Sequence, residues 1–455
     1  MRHLRSIVFL ALTGITFADG PRPGVDWPQF RGISATGIAD GKPLRLEWNA
    51  AKGDGVAWKT PIPGLAHSSP VIWGDRLFVT TAVPLTGEAS LKVGLYGAGD
   101  SADDMVEHEY RVYCLDKRDG KILWDRVALK TTPKFKRHTK ATHVNSTPVT
   151  DGRRVVAFFG TEGVFCYDMD GKLEWKKELG PLDVGPHDAA ELQWGFASSP
   201  IIAEGRLIVQ CDVKEKPFLA ALDVGDGREI WRVARDDVPG WSTPTAARVG
   251  DDWQILVNGC KHMGAYRLGD GGEVWRMSGG GGIPVPTPVV SGELVYLTSN
   301  HRPIKAGDPQ KPVFAVRLGA KGELAIPSDG TGNRDVAWLR TQRGNYMQTP
   351  LIYRGVAYLC YDNGVVSSFD AETGEPIYRE RLGTGDSGYT ASAVAGDGKV
   401  YFTSETGDVA VVDGTAREFR VLARSAFDDI CMATPAISEG RLYWRTKSAV
   451  MCIAP

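Results

Sequence analysis

The sequence predicts an all-β fold, an eight-bladed β-propeller whose blades are four-stranded antiparallel sheets. Three observations carry this reading. A small-residue-plus-proline step recurs along the chain, at Ser69-Pro70, Thr147-Pro148, Ser199-Pro200, Thr243-Pro244, Thr287-Pro288, Thr349-Pro350, the degenerate Ser392-Ala393 and Thr434-Pro435. Four of the seven intervals are 42 to 44 residues long and the others are longer, a period that suits one four-stranded blade with inserted loops. The last block ends after three strands, whereas Val56-Ala57-Trp58-Lys59 is a surplus strand ahead of the first. Pairing these ends closes the ring and removes both sheet edges.

The elements follow in order. Residues 1–18 read as a signal peptide, with Arg2, His3 and Arg5 ahead of an apolar run at 7–17 and small residues at Thr16-Phe17-Ala18. The run is too short to span a bilayer, and no later segment holds 18 uninterrupted apolar residues. No cysteine lies near the cleavage position, so no lipid anchor is expected. The expected location is periplasmic or secreted. Residues 19–46 are an extended arm and 47–455 the propeller. The formal net charge of −2, slightly more acidic once Arg2 and Arg5 are removed, leaves no footprint for nucleic acid.

The first blade shows the pattern best. Ser68-Ser69-Pro70-Val71-Ile72 is the inner strand, Gly74-Asp75-Arg76 the turn and Leu77-Phe78-Val79-Thr80 the second strand. Arg111-Val112-Tyr113-Cys114-Leu115 and Lys121-Ile122-Leu123-Trp124 are the third and fourth, with hairpin chemistry between them. A second signature spans each third and fourth strand, a small residue, Asp, Gly and Trp at positions 1, 3, 7 and 11. Ala221, Asp223, Gly227 and Trp231 fit it, and Cys114, Asp116, Gly120 and Trp124 fit with Cys for Ala. Ala265, Gly271 and Trp275 carry Arg267 for Asp. Ser368, Asp370, Gly374 and Tyr378 carry Tyr for Trp, and Cys166, Asp168, Gly171 and Trp175 are one residue shorter. Gly permits the turn, Asp caps it, and the ring docks between blades. Trp58, Trp124, Trp175, Trp231, Trp275 and Tyr378 are therefore the expected docking residues. The seven cysteines read as buried free thiols, because equivalent blade positions lie too far apart for a disulfide.

This signature resembles the pyrroloquinoline-quinone (PQQ) repeat, the tryptophan-docking unit of eight-bladed quinoprotein dehydrogenases and of BamB-like outer-membrane assembly lipoproteins. Trp27-Pro28-Gln29-Phe30-Arg31-Gly32 and Val56-Ala57-Trp58-Lys59-Thr60-Pro61 are similar to stretches of exported bacterial PQQ-binding-like β-propeller repeat proteins. The resemblance implies the fold over nearly all the mature chain. For the dehydrogenases it also implies PQQ, Ca²⁺ held by Glu and Asn, an Asp base and adjacent cysteines. This chain has no Cys-Cys pair and no Cys-x-x-Cys-His haem site. Glu191 and Asp386 stand near inner strands, but no spacing ties them to a ligand set.

Propeller geometry gathers the long loops 82–109, 130–145, 180–197 and 301–312 on one face, which marks it as the working face. Residues ahead of the inner strands ring the channel mouth there. His67, His143, Asn145, Gln193, Trp194, Trp241, Asn345, Tyr346, Gln348 and Tyr389 are the candidate ligand-binding set, joined by Phe196 and Met432. Aromatic platforms among amide and imidazole groups suit a small planar or sugar-like ligand. No catalytic residue and no metal ligand is expected: Asp116-x-x-Asp119-Gly120 is turn chemistry, Gly279-Gly280-Gly281-Gly282 lacks the lysine of a phosphate loop, and His138, His143 and His187 sit at no metal spacing. The basic run at 134–140 reads as a solvated loop. The sequence therefore points to an exported, non-catalytic platform for a small ligand or an unknown envelope protein. A PQQ-dependent oxidoreductase and an envelope-assembly scaffold are the alternatives.

Overall fold

A computed structural model of the protein describes residues 20–88, 90–94, 99–383, 385 and 387–455. The segment read as a signal peptide and Asp386 lie outside them. Eight sheets of four antiparallel strands, one of them extended by a short fifth strand that pairs in parallel, follow one another along the chain. Blade 1 consists of Val71–Trp73, Arg76–Pro84, His108–Asp116 and Ile122–Thr131. Blades 2 to 7 repeat the arrangement. Blade 8 contains Ala436–Ser438, Arg441–Arg445 and Ala449–Ile453, and its fourth strand is Val56–Pro61 from the other end of the propeller. Trp58 pairs with Cys452 and Lys59 with Met451, so the ring closes as expected.

Strand register explains the small residue of the repeat. It sits directly across from the outer-strand aromatic: Cys114 from Trp124, Cys166 from Trp175, Ala221 from Trp231, Ala265 from Trp275 and Ser368 from Tyr378. A bulky side chain there would occupy the space of the ring. Immediately after each of these pairs the register shifts by a bulge, which bends the strand and re-aims the ring. The ring then lies on the glycine of the next blade. Gly171 has φ +81°, and a Cβ on it would stand 2.7 Å from the Trp124 ring. The Trp124 indole donates to the Met169 carbonyl at 2.9 Å. Trp58, Trp175 and Trp231 repeat this with the carbonyls of Lys117, Val224 and Leu268.

Two expected docking rings behave differently. Trp275 is buried, but its indole nitrogen has no hydrogen-bond partner. Beside it lies the short parallel strand Gly322–Glu323, with Gly322 paired to Trp275. Tyr378 meets Phe419 edge-on at 5.5 Å. Trp338, absent from the sequence reading, docks on Gly374 and donates to the Ala371 carbonyl at 2.9 Å. All seven cysteines are buried and unbridged.

The segment before the propeller crosses one end of the channel. Trp27 exchanges backbone hydrogen bonds with Ile72 of blade 1, the Pro28 carbonyl accepts from Thr150 of blade 2, and Ala39 donates to Ala395 of blade 7. Arg31 is fully buried between them. Its guanidinium donates to the carbonyls of Ala35, Thr36, Pro350 and Ala393 at 2.8 to 3.1 Å. Phe30 is thereby presented to the channel as its floor.

Candidate functional site

The repeated Ser/Thr residues build the wall above that floor. The backbone N–H of Ser69 donates to Thr147 Oγ1, that of Thr147 to Ser199 Oγ and that of Ser199 to Thr243 Oγ1, at 2.9 to 3.0 Å. The same relay runs from Thr287 to Thr349, Ser392 and Thr434 at 2.9 to 3.1 Å. Each of the six accepting hydroxyls, on Thr147, Ser199, Thr243, Thr349, Ser392 and Thr434, thus joins one inner strand to the next. Because it accepts in that bond, its own proton is available to the channel. The Ser69 hydroxyl has no hydrogen-bond partner.

Floor, belt and rim enclose a cavity of about 470 Å³ that all eight belt residues line. Above the belt, Trp194 and Trp241 stand with ring centroids 5.8 Å apart. Their indole nitrogens donate to the carbonyls of Gly99 and Gly195, so they offer ring faces rather than donors to a ligand. Ile283, Val285 and Tyr346 extend the apolar side.

The charged groups at the mouth neutralise one another. Lys140 Nζ meets Glu405 Oε1 at 2.5 Å, and Glu405 also accepts from Thr390 Oγ1 and the Gly94 N–H. His67 shares a 2.6 Å hydrogen bond with the Lys140 carbonyl, and burial pushes its pKa down to about 4. His138 accepts at Nδ1 from the Lys140 N–H. Burial, and after it the Lys140 charge, likewise hold it at about 4. Both imidazoles are neutral at pH 7.

Of the expected ligand-binding set, His67, Asn145, Trp194, Trp241 and Tyr346 line this cavity, as does Met432. The others lie elsewhere. Asn345 and Gln348 are buried and donate to the carbonyls of Gln348 and Tyr389. Tyr389 covers Gly364. Gln193 accepts from the Lys136 N–H within the rim loops. His143 is nearly buried beside Asp104 and His108, one ligand atom of each lying within 4.8 Å of the other two. His138 faces the cavity rather than solvent. The sequence reading missed Phe30, Lys140, Glu405 and the lining role of the Ser/Thr belt. Phe30 and the belt carried a signal, since both sit in the motifs that identified the fold. The Lys140–Glu405 pair, separated by 265 positions, carried none.

Residues 108–300 and 261–454 match the family described as outer membrane protein assembly factor BamB. The chain belongs to that family. BamB from Moraxella catarrhalis is 13% identical, over 82% of this chain and 98% of that one, with a TM-score of 0.53. The quinohemoprotein alcohol dehydrogenase of Comamonas testosteroni is 11% identical, covers 94% of this chain and 80% of its own, and reaches 0.60. A europium-containing methanol dehydrogenase is 12% identical over 93% of this chain and 89% of that one, at 0.63. These identities show a shared fold. No curated protein matches the chain. Among the described residues, no helix is long and apolar enough to cross a membrane.

The cavity does not fit PQQ with Ca²⁺. PQQ carries several carboxylates, and the one lining cation among the described residues, Lys140, is already paired. The lining acids are Asp362 and Glu405, and both oxygens of Glu405 are engaged. Glu405 is thus already committed to other partners and is not a free carboxylate ligand for a hard cation.

Proposed function

We propose that the protein is an exported binding platform whose floored channel takes a small neutral ligand with hydroxyls and one apolar face. Saccharides are the chemical class that this describes. The observation that carries the reading is the opposition of a hydroxyl belt to the Trp194 and Trp241 faces inside one cavity of about 470 Å³, within the range of small-molecule sites. Among the described residues, the only lining cation, Lys140, is neutralised in place by Glu405. The role is binding without turnover.

The test is thermal melting of the mature chain with PQQ, with and without Ca²⁺, and with a panel of neutral mono- and disaccharides. Binding to the native state alone stabilises it by about 2.7 kcal/mol at a hundred times Kd. The expected result is a saturable rise with at least one saccharide, lost in Trp241→Ala, and no response to PQQ. A Ca²⁺-dependent rise with PQQ overturns the reading in favour of a quinoprotein.

Membership of the BamB family favours a second reading, envelope assembly through the loop-rich face. Cross-linking in intact cells tests it. Recovery of an outer-membrane assembly component supports that reading, and its absence under conditions that trap known assembly contacts opposes it.

A further inference from the structure

We infer that Asp104, His108 and His143 form a binding site for one divalent cation of the Zn²⁺ class, joining blade 1 to blade 2 beside the channel rim. Asp104 lies in the long loop of blade 1, His108 opens its third strand, and His143 comes from the loop leading into blade 2. One potential ligand atom from each lies within 4.8 Å of the other two. The His108 and His143 rings meet edge-on at 4.9 Å.

The surroundings are already arranged as an outer shell. His108 shares a 2.7 Å hydrogen bond through Nδ1 with the Val106 carbonyl, which fixes the proton there and leaves a lone pair on Nε2. Arg137 takes Asp104 Oδ2 through Nε at 2.8 Å and Nη2 at 2.6 Å. The other oxygen, Oδ1, turns to His143 Nε2 at 3.2 Å. Arg137 also donates to the carbonyls of Ala141 and Ser90, so its donors are spent on these oxygens and on Oδ2 rather than on Oδ1. Tyr110, two residues along the same strand face from His108, has a buried hydroxyl without a hydrogen-bond partner.

Two imidazoles and one carboxylate suit Zn²⁺ and its first-row neighbours, and are too few oxygens for Ca²⁺ or Mg²⁺. Bonds of about 2.0 to 2.2 Å to a shared ion require the three side chains to draw in by roughly an ångström. Binding replaces the His143–Asp104 hydrogen bond with a bond from each to the cation, the neutral His143 ring carrying its proton on Nδ1. Asp104 retains 16% side-chain exposure, which leaves one side of the ion open to water.

The full mature chain is stripped with EDTA, dialysed against Zn²⁺ and assayed for metal content, with Co²⁺ loading as a spectroscopic probe. We expect one equivalent of Zn²⁺, a melting temperature raised by Zn²⁺ but not by Ca²⁺, and visible Co²⁺ bands of a nitrogen-ligated site. His108→Gln and His143→Gln should each weaken binding at least about tenfold, and His187→Gln, in another loop, should leave it unchanged. Substoichiometric zinc in the wild-type chain overturns the site, as does retention of binding by the His108→Gln/His143→Gln double variant. If that variant does not fold, an all-oxygen Co²⁺ spectrum from the wild-type chain overturns it equally.

Discussion

The ammonium of Lys140 and the carboxylate of Glu405 meet at 2.5 Å, tying the loop ahead of blade 2 to a hairpin of blade 7 on the far side of the channel mouth. Glu405 is 1% exposed. Removing one partner of a buried pair costs about 3 to 5 kcal/mol, whereas an apolar replacement of both is much milder. Glu405→Ala should therefore lower stability by about 3 kcal/mol in urea unfolding. Lys140→Met/Glu405→Met should recover most of that loss. A double variant as unstable as the single one would show that the pair is not the source of the effect.

The hydroxyl belt makes a sharper distinction. Thr147→Val removes the acceptor for the buried Ser69 N–H and should cost about 1 to 3 kcal/mol, while Thr147→Ser keeps the oxygen and should melt near the wild type. Equal melting of the two variants would mean that the bond contributes nothing net.

Gly171 and Gly205 separate backbone strain from ring contact. Both have positive φ, at +81° and +70°, but a Cβ at Gly205 meets nothing within 4 Å. Gly205→Ala should show the backbone penalty alone, on the order of 1 kcal/mol. Gly171→Ala should lose about 1 to 3 kcal/mol more through its clash with the Trp124 ring. Calorimetry of the two variants measures the difference.

Acid should loosen the rim. Burial lowers the pKa of His67 and His138 from 6.5 to about 4. Above pH 6.5 both are neutral in the native and unfolded chains. As pH falls from 6.5 toward 4, the unfolded chain takes up protons that the native one refuses, so stability declines across that window. His67→Gln should flatten the decline, and an unchanged slope in urea titrations at pH 4.5 to 7 would exclude His67 as a source.

The fold was legible because its signals are local. The Ser/Thr-Pro steps and the small residue opposite each indole fall at fixed offsets within one hairpin. Trp338 escaped because the insertion between Val313–Arg317 and Val336–Arg340 breaks the offset from Ala315, its partner across the sheet. The rim escaped for a different reason. Asn345 and Gln348 precede an inner strand just as Asn145 does, but their amides turn into the body to satisfy buried carbonyls. Which way an amide turns depends on the loops around it. Those loops meet only when separate blades come together, as do Lys140 with Glu405 and His143 with Asp104.

Ring closure also has a consequence in time. Val56–Pro61 leaves the ribosome nearly 400 residues ahead of its partner Ala449–Ile453. At roughly 5 to 20 residues per second, the first strand waits on the order of tens of seconds for its complement. Throughout that delay it offers unpaired amides and carbonyls to any passing strand, its own kin on the same message included. A transcript cut short before Ala449 would leave every product with that adhesive margin permanently exposed.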